Sequence, residues 1–96
     1  MQTVARIGDS CYNLENSHTR YIVAAVPHKV FVEGRMVALQ GDITREPNYD
    51  DAYLTYRCSL RCLVEGKPVA LNASVDSHSP PFYVNATAIR TFSQES

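Results

Sequence analysis

Tryptophan is absent from this 96-residue chain, glycine occurs only four times and cysteine three, and nine Lys and Arg against ten Asp and Glu leave a net charge of -1. The charge balance and the few cysteines each close off a class of function. A near-neutral surface without a basic stripe lacks the footprint of a nucleic-acid binder, and neither RNP-like nor zinc-finger spacing occurs. No apolar run approaches the roughly 20 residues that span a bilayer, Tyr21 to Val26 being far too short, so stable membrane insertion is not expected. The first residues lack the basic-then-apolar pattern of a secretory signal, and export by that route is not expected. Three cysteines, Cys11, Cys58 and Cys62, without such a signal point to reduced thiols, buried or metal-bound, rather than a disulfide framework. Gly/Ser linkers and low-complexity stretches are also missing, so residues 1–96 read as one small domain, for which a metal would be a useful fastener.

What is present is repetition. Val30-Phe-Val-Glu-Gly-Arg-Met-Val-Ala-Leu39 recurs as Cys62-Leu-Val-Glu-Gly-Lys-Pro-Val-Ala-Leu71, 32 residues later. Internal repetition outranks other clues in so short a chain. Val4 to Asp9 matches Val37 to Asp42, and Phe82 to Ile89 reads as a degraded copy of Val30 to Val37. Three outgoing segments ending at Val32, Val64 and Val84, with a leading half-copy, suggest a pseudo-threefold repeat.

Beta-branched and aromatic residues fill the periodic parts and Gly, Pro, Asn and Asp punctuate them, so the expected fold is all-β, built of short strands and hairpins. Glu33-Gly34 and Glu65-Gly66 are the expected tight turns, glycine supplying positive φ. Parity places Val26, His28, Val30 and Val32, then Cys58, Leu60, Cys62 and Val64, then His78, Pro80, Phe82 and Val84, on inward faces. Lys29, Glu33, Arg57, Arg61 and Glu65 fall on the opposite, solvent face. Aspartate after glycine at positions 9 and 42 predicts turns in which the carboxylate meets amides just downstream. Asp9 to Tyr21 and Asp42 to Tyr56 read as long connections, with room for a short helical turn within 47–56.

Thr3-Val4-Ala5-Arg6, Met36-Val37-Ala38-Leu39 and Pro68-Val69-Ala70-Leu71 resemble the Pro-Ala-Ala-Arg signature of the PAAR-repeat family. The resemblance covers almost the whole chain. It implies a small β-rich cone that caps a homotrimeric spike, one tip per trimer, in a contractile injection machine and meets the target cell envelope. Its location would then be the tip of a phage tail baseplate in the virion, or the bacterial cytoplasm before secretion by a type VI apparatus. The resemblance also implies a metal near the vertex, zinc or alternatively iron, commonly held by three His and one Cys. His18 is the best match to the family's first histidine, and Cys58 and His78 follow. The loop from Asp42 to Arg57 has no His, so the fourth ligand falls to His28 or Cys11, with Cys62 behind them because its register matches Val30. A closed set of four such ligands is structural rather than catalytic.

Chemistry beyond that is thin. Asp76, Ser77 and His78 are adjacent on one strand and cannot assemble a triad. Nothing lowers a thiol pKa or supplies an oxyanion hole for a pair such as Cys11 and His18. Glu46, Asp50 and Asp51 lack EF-hand spacing and read as a solvated loop, with Tyr49, Tyr53 and Tyr56 packing around it. The expected role is therefore mechanical and not enzymatic. A small metal-binding β-domain working as an enzyme and a β-sandwich binding module of two stacked sheets are the alternatives.

Overall fold

The Val-Ala-Leu triplets contribute to two separate buried clusters, the alanines to one and their valine neighbours to the other. The structure, a computed structural model, describes residues 2–15, 17–87 and 91–92. Twelve short strands and no helix form among them: β1 (Gln2–Thr3), β2 (Ser10–Tyr12), β3 (Thr19–Val23), β4 (Phe31–Val32), β5 (Arg35–Met36), β6 (Ile43–Arg45), β7 (Ala52–Tyr56), β8 (Leu63–Val64), β9 (Lys67–Pro68), β10 (Val75–Asp76), β11 (Tyr83–Asn85) and β12 (Thr91–Phe92). The hairpins β2–β3, β6–β7 and β10–β11 join edge to edge as a closed six-stranded barrel. Closure pairs edges that would otherwise template aggregation. The other strands pair as three two-stranded ribbons, β4–β5, β8–β9 and β1–β12. The all-β expectation therefore holds, whereas the two stacked sheets of the β-sandwich alternative do not occur among the described residues.

Between barrel and ribbons, three chain segments meet in a ring. Ala5 N–H donates to Ala70 O at 3.0 Å, Ala70 N–H to Ala38 O at 2.8 Å, and Ala38 N–H to Ala5 O at 3.0 Å. Isolated bridges link Val4 to Leu71, Arg6 to Val37 and Leu39 to Val69. Ala5, Ala38 and Ala70 are fully buried and pack toward the barrel with Cys11, Ile22, Leu54, Phe82 and Val84. Val4, Val37, Leu39 and Val69 point the other way and form a second cluster, packed by Val32, Cys62 and Val64. Arg6 stands where the other triplets carry Leu39 and Leu71. Its Nη1 donates to Glu33 O at 3.3 Å and its Nη2 to Thr87 Oγ1 at 3.1 Å, so the charge reaches partners in the first ribbon turn and beyond.

After each triplet the chain turns a matching corner. Gly8, Gly41 and Ala73 have φ of 95°, 94° and 68°, and their N–H groups donate to Ile22, Leu54 and Val84. The corner is capped backward: Asp9 Oδ2 accepts from Arg6 N–H, Asp42 Oδ2 from Leu39 N–H and Ser74 Oγ from Leu71 N–H. The carboxylates thus bind amides three residues upstream, not the downstream ones expected. Glu33 and Gly34 (φ 52° and 83°) and Glu65 and Gly66 (φ 51° and 82°) form the expected turns, with positive φ at both central residues as in type I′.

Several expectations need correction. The stretches 9–21 and 42–56 are barrel hairpins rather than connections, and Ala52–Tyr56 is strand rather than helix. Val84 occupies the place of Ile22 and Leu54, not that of Val32 and Val64: cross-strand partners are Ile22 with Thr44, Leu54 with Asp76 and Val84 with Cys11. The third ribbon is instead β1 with β12, made from distant parts of the chain; Ile89 lies outside the described residues. Parity also fails in 26–30 and at Leu60, where no strand forms: Val26, Val30 and Leu60 are exposed.

Candidate functional site at the loop end of the barrel

The described parts of the barrel's hairpin connections, 13–15 with 17–18, 46–51 and 77–82, gather at the end opposite the ribbons. Counting along matched strands, Cys11, Thr44 and Asp76 face inward at one level and Asn13, Glu46 and His78 at the next. On the return strands Arg20, Ala52 and Phe82 face in at corresponding places.

This end is polar and closely bonded. Arg20 is fully buried, its Nη1 donating to Thr44 O at 2.9 Å and Asp50 O at 3.0 Å. Its Nε lies 3.2 Å from Glu46 Oε1 in an ion pair whose alignment is too poor for a hydrogen bond. The guanidinium carbon sits 5.2 Å from the Phe82 ring centroid, within cation–π range. Glu46 Oε2 meets His18 Nδ1 at 3.0 Å, and His18 packs edge-on against Tyr49. Asp76 Oδ2 accepts from Thr44 Oγ1 at 2.7 Å, while its Oδ1 accepts from the backbone N–H groups of His78 and Phe82. Asn13 Nδ2 donates to Pro80 O and Pro81 O. A cleft of about 340 Å³ opens here, bordered by Tyr49, Asp50, Asp51, Ser77 and His78.

The expected metal ligands are divided between places. His18 and His78 sit at the loop end; Cys58 follows β7 at the far end, a strand of five residues away, or about 16 Å at 3.3 Å per residue. His28 is buried elsewhere with both ring nitrogens engaged: Nε2 with Val37 O at 2.8 Å, and Nδ1 accepting from Val30 N–H at 3.1 Å. His78 Nδ1 contacts Pro80 O at 2.8 Å. Cys11 lies in the barrel core, where burial pushes its thiol up to about 12, and burial also raises Cys58. Cys62 packs against the ribbon-side cluster. Among the described residues no group of three or more His, Cys, Asp and Glu is placed to hold a metal ion.

Catalytic geometry does not assemble from the adjacent trio either, since Asp76 binds the His78 main chain and the imidazole turns to Pro80. Sequence reasoning missed Arg20, Glu46 and Asp76. A signal existed: Arg20 shares parity with Ile22, and Thr44 and Glu46 with Asp42, so all would face inward once these stretches were read as strands. Glu46 is correspondingly buried rather than solvated, while Arg45 holds Asp51 in a two-pronged pair at 3.0 Å and lowers the Asp51 pKa. No protein-family model matches the chain, and no curated protein matches it.

Proposed function

We propose that this chain is a non-enzymatic tip that caps the end of a homotrimeric β-helical spike in a contractile injection apparatus, in a phage tail baseplate or a type VI secretion machine, and meets the target envelope first. The ring of Ala5, Ala38 and Ala70 carries the reading, because one chain offers three main-chain segments with the same donor and acceptor roles. Taken as a pseudo-threefold axis, the ring aligns the three ribbons with the three chains of a trimer, one ribbon to each, and the loop end becomes the vertex. Phe31 and Leu63 occupy the same place in two ribbons and are 56% and 58% exposed. Apolar side chains so exposed on short edges suit a surface that a partner's strands cover.

Mixing the purified protein with a trimeric β-helical phage spike tests this. Native mass spectrometry should find one copy per three spike chains, and a Phe31→Asp/Leu63→Asp variant of unchanged melting temperature should lose the complex. Any other ratio, or no complex, removes the proposal.

A further inference from the structure

We infer that the loop end of the barrel is closed by an ionic plug built from Arg20, Glu46 and His18, which holds the vertex together without a metal ion. Three hairpins bring side chains to one level here, just past the ends of β2, β6 and β10, and the side chains at that level are Asn13, Glu46 and His78, so a shared centre would have one carboxylate, one amide and one imidazole to draw on. Each already has a protein partner: Glu46 holds Arg20 and His18, Asn13 holds the carbonyls of Pro80 and Pro81, and His78 meets Pro80 O. Ala52, the matching residue on the next return strand, is small, which leaves the lumen open to the long Arg20 side chain. Phe82 supplies a ring face for the guanidinium, and the carbonyls of Thr44 and Asp50 take its protons.

A fully buried cation therefore sits 3.2 Å from Glu46, and a divalent ion brought to the same carboxylate would meet its repulsion at close range. Buried charges are kept only when paired and hydrogen-bonded, and removing one partner of such a pair is far more damaging than removing both. This asymmetry separates a plug from a metal site. The inference stands independently of spike capping, since it concerns what holds the vertex and not what the ribbons bind.

The test combines elemental analysis with thermal unfolding of the full chain in the presence and absence of EDTA and 1,10-phenanthroline. The protein should carry less than about one zinc or iron per ten chains and melt at the same temperature, within about 2 °C, with or without chelator. Arg20→Met and Glu46→Gln should each lower the melting temperature by more than about 10 °C, and the Arg20→Met/Glu46→Leu double variant should recover at least half of the larger loss. If a single variant fails to fold, recovery of a folded double variant still supports the plug. Stoichiometric zinc or iron whose removal lowers the melting temperature would overturn it. So would single variants that melt like the parent, or a double variant no better than the worse single one.

Discussion

At the scale of single residues, the corners after the Val-Ala-Leu triplets offer a comparison inside one chain. Asp42 is 4% exposed and accepts from Leu39 N–H at 2.8 Å and Ala25 N–H at 3.1 Å. Asp42→Ala strands both amides and should cost about 2–4 kcal/mol in urea unfolding followed by circular dichroism. Asp42→Ser should cost less than half of that, because Ser74 performs the same cap at 2.9 Å in the third corner. Equal losses for the two variants would show that the corners are not interchangeable. Cys11 gives a second test. Burial holds its thiol up at about 12 against an ordinary 9.0, so the folded state keeps a proton that the unfolded chain loses first. The contribution is fully present below pH 9 and drains away toward pH 12, at up to about 1.4 kcal/mol per unit. Over that window Cys11→Ala should lose stability less steeply than the parent; parallel pH curves would contradict the burial argument.

Among the elements, the ribbon turns were legible from sequence and the barrel hairpins were not. Glu33-Gly34 and Glu65-Gly66 announce themselves because glycine and a repeated frame coincide, and the backbone takes positive φ at both positions of each. Glutamate is a poor occupant of the first position. Glu65→Asn should therefore raise stability by about 0.5 kcal/mol, and Gly66→Ala should lower it by about 1–2 kcal/mol through backbone strain alone, since an added Cβ would meet no atom within 4 Å. Thermal melts of the two variants shifting in the same direction would refute the turn assignment. The barrel strands hid for a physical reason. β2, β6 and β10 are two or three residues long, and the buried positions on them or just beyond them include Asn13, Thr44, Glu46 and Asp76, so polarity no longer tracks burial and the period-2 signal vanishes. Those same polar residues build the loop-end network, so the site was missed with the strands that carry it. The third ribbon escaped because it joins β1 to β12, which no local pattern reveals.

For the molecule as a whole, that third ribbon decides whether three parts of one chain are equivalent. β1 pairs with β12 through Gln2 with Phe92 and Thr3 with Thr91, as β4 pairs with β5 through Phe31 with Met36 and Val32 with Arg35. If the ribbons are interchangeable, it should not matter which of them is covalently open. A circular permutant that joins residue 96 to residue 1 through a short Gly/Ser linker, and begins at Lys67 after a break in the Glu65-Gly66 turn, moves the opening from the third ribbon to the second. Linker length contributes little, since each doubling of a loop costs about 0.6 kcal/mol. The permutant should keep the parent's far-ultraviolet dichroism and melt within a few degrees of it. Under the proposed capping role it should also bind a trimeric spike at one copy per three chains, because the main-chain ring through Ala5, Ala38 and Ala70 is untouched by where the chain begins. A permutant that is folded but binds no spike would separate the two ideas, leaving the interchangeable ribbons intact and removing the cap. One that does not fold would mean that the ribbons differ in kind, and the step from the ring to a threefold partner would fail with them.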